Sequence, residues 1–352
     1  MKKWILFFLL CAQNSAWAQY YQGGHAITKH LKAGAFVDGY YAYDFDNPPG
    51  GSVPYLTTPA RDGFNVNLAY ADLNLESDFV RGRLAVQGGR AVNRNYSAEE
   101  NTNVRFLQES YVGFQPLKDF WIDTGIYFSP YGMESFISRN DWTYTRSMPC
   151  DFSPYYQLGV RMSYKISDPW LVQLNVMNGW QRITPLDHSK SVGMSVAYTP
   201  SDVFSLNYNN FIGKESGEMR FFNDVYAKYN LTSTWQVAAQ YDFGQQAKPN
   251  VDGFSFWHGG HVQLRHAFSK VISMTGRMEF YWDADQVIVA TNTSDGFKTW
   301  GGSVNVDVQL WKGFLWRTEM RGFHAQNPIY TNNTGTLVKP DGFVVSSLSL
   351  TL

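Results

Sequence analysis

Chemistry in this chain would have to come from its histidines, its cysteines and its charged side chains. The histidines are His25, His30, His188, His258, His261, His266 and His324. His258, His261 and His266 are close enough in sequence to suggest a metal site or a general base. On a strand, however, His261 faces away from the other two, because its separations from them are odd. No G-x-S-x-G elbow, H-E-x-x-H pair or phosphate-binding glycine loop occurs. A membrane-barrel hydrolase would also need a Ser or Thr nucleophile beside a histidine base. The chain is therefore expected not to be an enzyme, and no catalytic residue, cofactor or metal is assigned. Of the two cysteines, Cys11 lies in an N-terminal leader, so Cys150 is left as a passive loop thiol that no disulfide can use.

The charged residues carry more information, because they alternate with apolar ones. Arg317, Glu319 and Arg321 share one stretch, and Arg277, Glu279 and Asp283 another. In the stretch Thr299 to Leu310, Trp300, Gly302, Val304, Val306, Val308 and Leu310 alternate with Ser303, Asn305, Asp307 and Gln309. Strict period-2 alternation predicts a β-strand with one greasy and one wet face. Reading the same phase elsewhere places Asp38, Glu109, Asp123, Arg161, Lys165, Asp242, Arg265, Arg277, Glu279, Asp307, Arg317, Glu319 and Arg321 on the wet face. Charge rings of one sign select ions. Here the signs are mixed, so pairing that stiffens a wall is the favoured reading and strong selectivity is not expected.

The elements that would position these charges number about sixteen. Strands are expected near 32–45, 63–77, 80–92, 103–115, 119–128, 155–167, 170–181 and 189–200. They continue near 202–212, 219–231, 233–244, 256–268, 271–284, 296–311, 313–325 and 341–352. Connections alternate between short ones, such as Asp168-Pro169 and Ser269-Lys270, and long ones at 46–62, 129–154, 245–255, 285–295 and 326–340. Bacterial outer-membrane barrels have short periplasmic turns and longer extracellular loops. The fold expected is all-β, a single closed antiparallel transmembrane β-barrel over 32–352, with both termini in the periplasm. A soluble sandwich would not segregate its turn lengths in this way.

Register follows from cost. An Arg or Lys on the lipid face at the midplane costs about 2–4 kcal/mol, and a one-residue slip exchanges the two faces of a strand. The phase is clear at 296–311, 271–284 and 155–167. In 63–77 it switches from Phe64, Val66 and Leu68 to Ala71, Leu73 and Leu75, which predicts a bulge or a misread strand; the 80–92 stretch is similarly weak. Tyr164, Trp170, Tyr229, Trp235, Trp311 and Trp316 flank short turns, where an interfacial aromatic girdle is expected. The final residues Val344 to Leu352 alternate to the end of the chain, like the C-terminal strand by which such barrels are recognised for assembly, although here the last residue is Leu rather than Phe.

Composition agrees. Lys2 and Lys3, an apolar run from Trp4 to Ala12 and Ala16-Trp17-Ala18 predict a signal peptide over 1–18, followed by a short periplasmic segment over 19–31. Leu10 before Cys11 argues against a lipoprotein. No later run reaches the ~20 apolar residues of a membrane helix, and the mean hydropathy of −0.32 fits strands that are wet on one side. Aromatic residues at 17% suit girdles. Loss of Lys2 and Lys3 takes the formal net charge from −1 to −3, which leaves no footprint for nucleic acid.

A barrel of this size encloses an aqueous channel unless something fills it, and too few residues precede the first strand to make a plug domain. The 129–154 loop is the longest and carries Glu134, Arg139, Asp141, Arg146 and Asp151. Two placements are open: folded into the lumen as a constriction, or standing outside as a surface loop. Phe36-Val37-Asp38-Gly39-Tyr40-Tyr41, Pro130-Tyr131-Gly132-Met133-Glu134, Leu158-Gly159-Val160-Arg161 and Asn178-Gly179-Trp180 occur in an order that resembles the OmpL-like beta-barrel porin family. The resemblance implies a porin-like protein of the Gram-negative outer membrane and supplies no catalytic or binding residue. The expected function is passive diffusion of small hydrophilic solutes. The expected partners are outer-membrane lipid, the barrel-assembly machinery and those solutes; homo-oligomerisation is left open. The alternatives are a non-conducting barrel that acts in adhesion or partner binding, and an outer-membrane hydrolase.

Overall fold

The computed structural model describes residues 24–46, 55–57 and 63–352. The expected signal peptide at 1–18 and part of the 46–62 loop lie outside these residues. Sixteen long strands form one antiparallel sheet that closes on itself. In chain order they are β1 (Leu31–Asp44), β2 (Gly63–Glu76), β3 (Val80–Gly88), β4 (Leu107–Leu117), β5 (Phe120–Phe128), β6 (Tyr156–Ser167), β7 (Trp170–Met177) and β8 (Ser191–Ser201). There follow β9 (Phe204–Glu215), β10 (Glu218–Asn230), β11 (Trp235–Ala247), β12 (Phe254–Ala267), β13 (Ile272–Asp283), β14 (Phe297–Trp311), β15 (Phe314–Ala325) and β16 (Pro340–Thr351). Each pairs with its sequence neighbours, and β16 closes the wall against β1 with Leu350 opposite Val37. Closure removes the unpaired edges that lipid would not tolerate.

The two faces separate as the alternation requires. On β14, Trp300, Val304, Val306 and Leu310 are exposed on the outer wall, whereas Ser303, Asn305 and Asp307 are buried inside. β13 repeats this, with Ile272, Met274, Met278 and Trp282 outward and Arg277, Glu279, Tyr281 and Asp283 inward. Aromatics gather at the short-turn end, where Trp170 lies 4.4 Å from Tyr198 and Trp235 lies 4.2 Å from His266, ring centre to ring centre. Trp300, Phe280 and Trp282 cluster toward the other end.

The phase change in β2 is a bulge. Asp38 pairs with Leu68 and Gly39 with Val66, which leaves Asn67 as the extra residue. Phe64 and Val66 face out before it, and Leu73 and Leu75 after it, while Leu68 and Tyr70 turn inward. The expected 80–92 strand is shorter than predicted. It ends at Gly88, and Gly89 takes φ 122°, where a Cβ would lie 2.5 Å from the Asn67 carbonyl oxygen. The chain then turns inward into a short helix, α1 (Arg90–Asn95), whose Ala91 and Val92 pack in one apolar cluster with Leu68 and Tyr70. Two other strands are also shorter than expected: Thr102–Phe106 is a 3-10 turn before β4, and β7 stops at Met177. On the long-loop side, β9 and β10 are joined by only Ser216 and Gly217, at φ 53° and 87°, the left-handed pair that tight hairpins use. In the predicted N-terminal segment, His25–Ala26 pairs back on Ala33 and Lys32.

Candidate functional site

Asp38 places the 129–155 segment. It belongs to β1, yet it accepts hydrogen bonds from Ser138 at 2.8 Å and Tyr144 at 3.3 Å. The loop therefore leaves β5, crosses the lumen and reaches strands on the far wall. Its only helical pieces are a 3-10 turn at Ser138–Asn140 and a single turn, α2, at Met148–Asp151. Irregular backbone buried in a barrel must find partners for its peptide groups, and the wall supplies them.

Carboxylates and amides accept from the loop's N–H groups. Gly132 donates to Asp224 at 2.9 Å, Met133 to Gln240 at 2.7 Å, Tyr144 to Asn305 at 3.2 Å, Thr145 to Glu319 at 2.6 Å and Met148 to Glu279 at 2.6 Å. Guanidinium groups donate to its carbonyls. Arg317 reaches Ser138 at 2.5 Å, Asp141 at 2.9 Å and Thr143 at 3.3 Å, and Arg277 reaches Thr145 at 2.6 Å. Arg139 extends to the carbonyl of Gly313 at 2.9 Å, in the short turn between β14 and β15. Charged partners make these bonds stronger than neutral ones.

The same wall residues also pair with one another. Arg317 grips Asp307 at 2.8 and 2.9 Å, Arg321 holds Glu279 at 2.7 Å, and Arg277 meets Glu319 at 3.2 Å. On the opposite side, Asp123 binds Arg81 at 2.6 Å and Arg161 at 2.9 Å, while Arg83 bridges Asp72 at 2.9 Å and Glu109. Arg265 donates to Ser273 at 3.1 Å, and Asp242 accepts from Gln240 at 2.8 Å. Lys165 departs from the lining that the alternation gave it. It is half exposed at the short-turn end of β6, where its side chain turns to Asp168 at 2.9 Å.

Within the loop, Glu134, Asp141, Arg146 and Asp151 turn into the packed interior. Arg146 stacks 3.8 Å above the Tyr155 ring and bonds to Thr57 at 3.0 Å, Asn95 at 3.1 Å and Asp151 at 3.3 Å. Burial works against its charge, but Tyr155 and Asp151 outweigh it and the guanidinium stays protonated. Burial also pushes the Glu134 carboxyl up. Arg277 and His261, with the Ser147 hydrogen bonds, more than offset this and hold it at about 2. Asp141 goes the other way: burial and the Glu134 charge raise it well above the usual carboxylate range, against the Ser135 N–H at 2.6 Å. Burial, reinforced by Glu134, likewise raises the Cys150 thiol.

Between loop and wall, beside the short turns, lies a charged cavity of about 270 Å³ lined by Arg139, Asp141, Arg265, Lys270, Asp307 and Arg317 among others. Sequence reading missed Arg81, Arg83 and Asp72, which follow the bulge, and also Asp224 and Gln240, whereas it had placed Asn305 on the wet face. Asp224 and Gln240 lie on the inward phase of their strands, so the alternation could have found them. As the odd spacing required, His261 points inward, whereas His258 meets Tyr241 and Trp282 and His266 lies on Trp235.

The sequence profile of the family described as "Putative beta-barrel porin-2, OmpL-like" matches residues 30–348. The chain belongs to this family. Among solved structures, it is similar to an anion-selective porin from Comamonas acidovorans, at TM-score 0.60 and 8% identity, over 92% of this chain and 99% of that one. It is also similar to OmpT of Vibrio cholerae, at TM-score 0.61 and 9% identity, over 93% and 99%. A mutant of the Rh. blastica porin gives TM-score 0.57 at 10% identity, over 92% and 100%. At these identities the likeness is one of fold. No curated protein sequence is significantly similar to the chain. Family and fold together make this a porin-like barrel of the bacterial outer membrane.

Proposed function

We propose that this OmpL-like barrel is a channel for passive diffusion of small hydrophilic solutes, with the 129–155 loop as its constriction. The observation that carries the reading is the loop itself, held across the lumen by charge-assisted bonds from β10, β13, β15 and β1. The polar inner face keeps the lumen wet, and the closed sheet satisfies the backbone against lipid. Both termini face the periplasm, the long loops face outward, and the assembly machinery inserts the barrel into outer-membrane lipid. No catalytic role is assigned.

The cavity beside the short turns favours a direction for selectivity. Arg139, Arg265, Lys270 and Arg317 line it against Asp141 and Asp307, so its balance is basic and a mild anion preference is expected. A second reading rests on how tightly the loop is packed: Glu134, Arg277, Glu319 and Arg321 are all at most 4% exposed. On that reading the barrel is closed at rest and acts in adhesion or partner binding.

Single-channel recording of the refolded protein under a salt gradient separates the two. Discrete steps with a reversal potential on the anion side support the channel, and Arg139→Ala should then move that potential toward cations. Inserted, folded barrels that carry no current would overturn the channel reading.

A further inference from the structure

One buried side chain is used neither by the loop anchors nor by the wall pairs. His261, on the inward phase of β12, is 3% exposed, and neither ring nitrogen has a hydrogen-bond partner. Leaving a buried imidazole unpartnered is unfavourable, and unpartnered ring nitrogens are what a metal ion binds. The ring is met by two loop residues, Glu134 and the free thiol of Cys150, which is 1% exposed. One carboxylate oxygen, the sulfur and one ring nitrogen all lie within 4.8 Å of one another.

We propose that Glu134, Cys150 and His261 form a binding site for a borderline-soft divalent metal ion of the zinc type, which staples the loop to the barrel wall. Nitrogen, sulfur and oxygen donors in a set of three suit zinc, which then has room for a fourth ligand. Ligands in a tetrahedral zinc site are about 3.3–3.8 Å apart, so from a separation within 4.8 Å the three side chains need close up by no more than about 1.5 Å. Gln240 Oε1, 3.1 Å from the sulfur, is placed to be the fourth ligand.

The surroundings accommodate the ion. Glu134 Oε1 now accepts from Gln263 at 2.5 Å and Arg277 at 3.2 Å. Arg277 can release it, because Thr143, Thr145 and Glu319 still hold that guanidinium at 2.6 to 3.2 Å. Binding releases the thiol proton to solvent, so a doubly charged ion adds one net charge. Glu279, Glu319 and Asp242 stand against Arg277 and Lys228 around the cluster. Two ligands come from the loop and one from the wall, so an ion here opposes loop release.

The test is Co²⁺ titration of the reduced, refolded protein in detergent, following the near-ultraviolet thiolate-to-cobalt charge-transfer band, with Zn²⁺ as competitor. The expected result is one Co²⁺ per barrel with that band, displaced by Zn²⁺. Cys150→Ser should abolish the band, and His261→Asn should weaken binding at least tenfold. The double variant His258→Asn, His266→Asn, which alters only outward histidines, should change nothing. Absence of the band in the unaltered protein, or binding that survives His261→Asn, overturns the proposal. If Cys150→Ser does not fold, the unaltered spectrum and His261→Asn still decide. The readout does not depend on conduction, so a silent channel would leave it intact.

Discussion

Arg317→Ala probes the loop anchorage most directly. The guanidinium donates to three loop carbonyls, those of Ser138, Asp141 and Thr143, and balances Asp307. Hydrogen bonds to charged groups contribute about 1.5–3 kcal/mol each. Three at the low end give about 4.5 kcal/mol, and water entering the space left by the side chain recovers part of this. A net loss of about 2–4 kcal/mol corresponds to a rise of about 30- to 700-fold in the undocked-to-docked ratio of the loop. The barrel strands keep every ladder bond, so the variant should still fold and insert. In single-channel recordings, the ratio of time spent in a wider state to time in the docked state should rise by that factor, and proteases should cut within 133–147 sooner than in the unaltered protein. Unchanged dwell fractions together with unchanged protease resistance in a folded Arg317→Ala barrel would refute the anchoring argument.

Three further outcomes follow from the same geometry. Asp123→Asn leaves Arg81 and Arg161 without their shared buried counter-charge and should lower barrel stability by about 2–4 kcal/mol, read as an earlier urea midpoint by tryptophan fluorescence; an unchanged midpoint would count against a buried pair. Glu134 has a folded pKa of about 2 against an ordinary 4.5. Its contribution to docking is therefore complete above pH 4.5 and is lost as pH falls toward 2, so loop proteolysis and conductance should hold steady at neutral pH and change only in that acid window. Asp141 has the opposite sign: its carboxyl is raised, so once pH exceeds the ordinary carboxylate range, where the undocked loop ionises freely, this group disfavours docking. Asp141→Asn should therefore slow loop proteolysis at pH 7, and faster cleavage would show that its charge is needed.

The wall was legible because a half-wet strand writes its register directly into the sequence. Asp307 and Val304 can exchange faces only at a cost of kilocalories, so the phase of β14 could be read residue by residue. Even the bulge at Asn67 was visible, as a switch in the apolar phase. The bulge also hid what came next. Beyond it the pattern of 80–92 looked weak, and Arg81 and Arg83, which pair with Asp123, Asp72 and Glu109, went unrecognised as lining. Helix α1 has only six residues, too few for a period to show. The placement of the loop was not legible at all. Its anchors on the far wall are side chains 90 to 179 positions away, and nothing in the loop's own spacing distinguishes a lumenal path from an external one. The mixed signs on Arg317, Glu319 and Arg321 announced pairing, but not that the peptide groups of the loop would be among the partners.

The sequence distance between the loop and its receptor also sets an order of events. Asp224, Gln240, Glu279, Asn305, Arg317 and Glu319 sit on strands from β10 to β15, so the surface that receives residues 129–155 exists only once those strands have paired and curled. Contacts this far apart in the chain form slowly, and here they cannot form until the second half of the wall has been made. The loop can therefore dock only onto strands that are already in place. A wall without it is a hollow cylinder whose inner charges face water, so docking from within exchanges that water for the loop's own peptide groups.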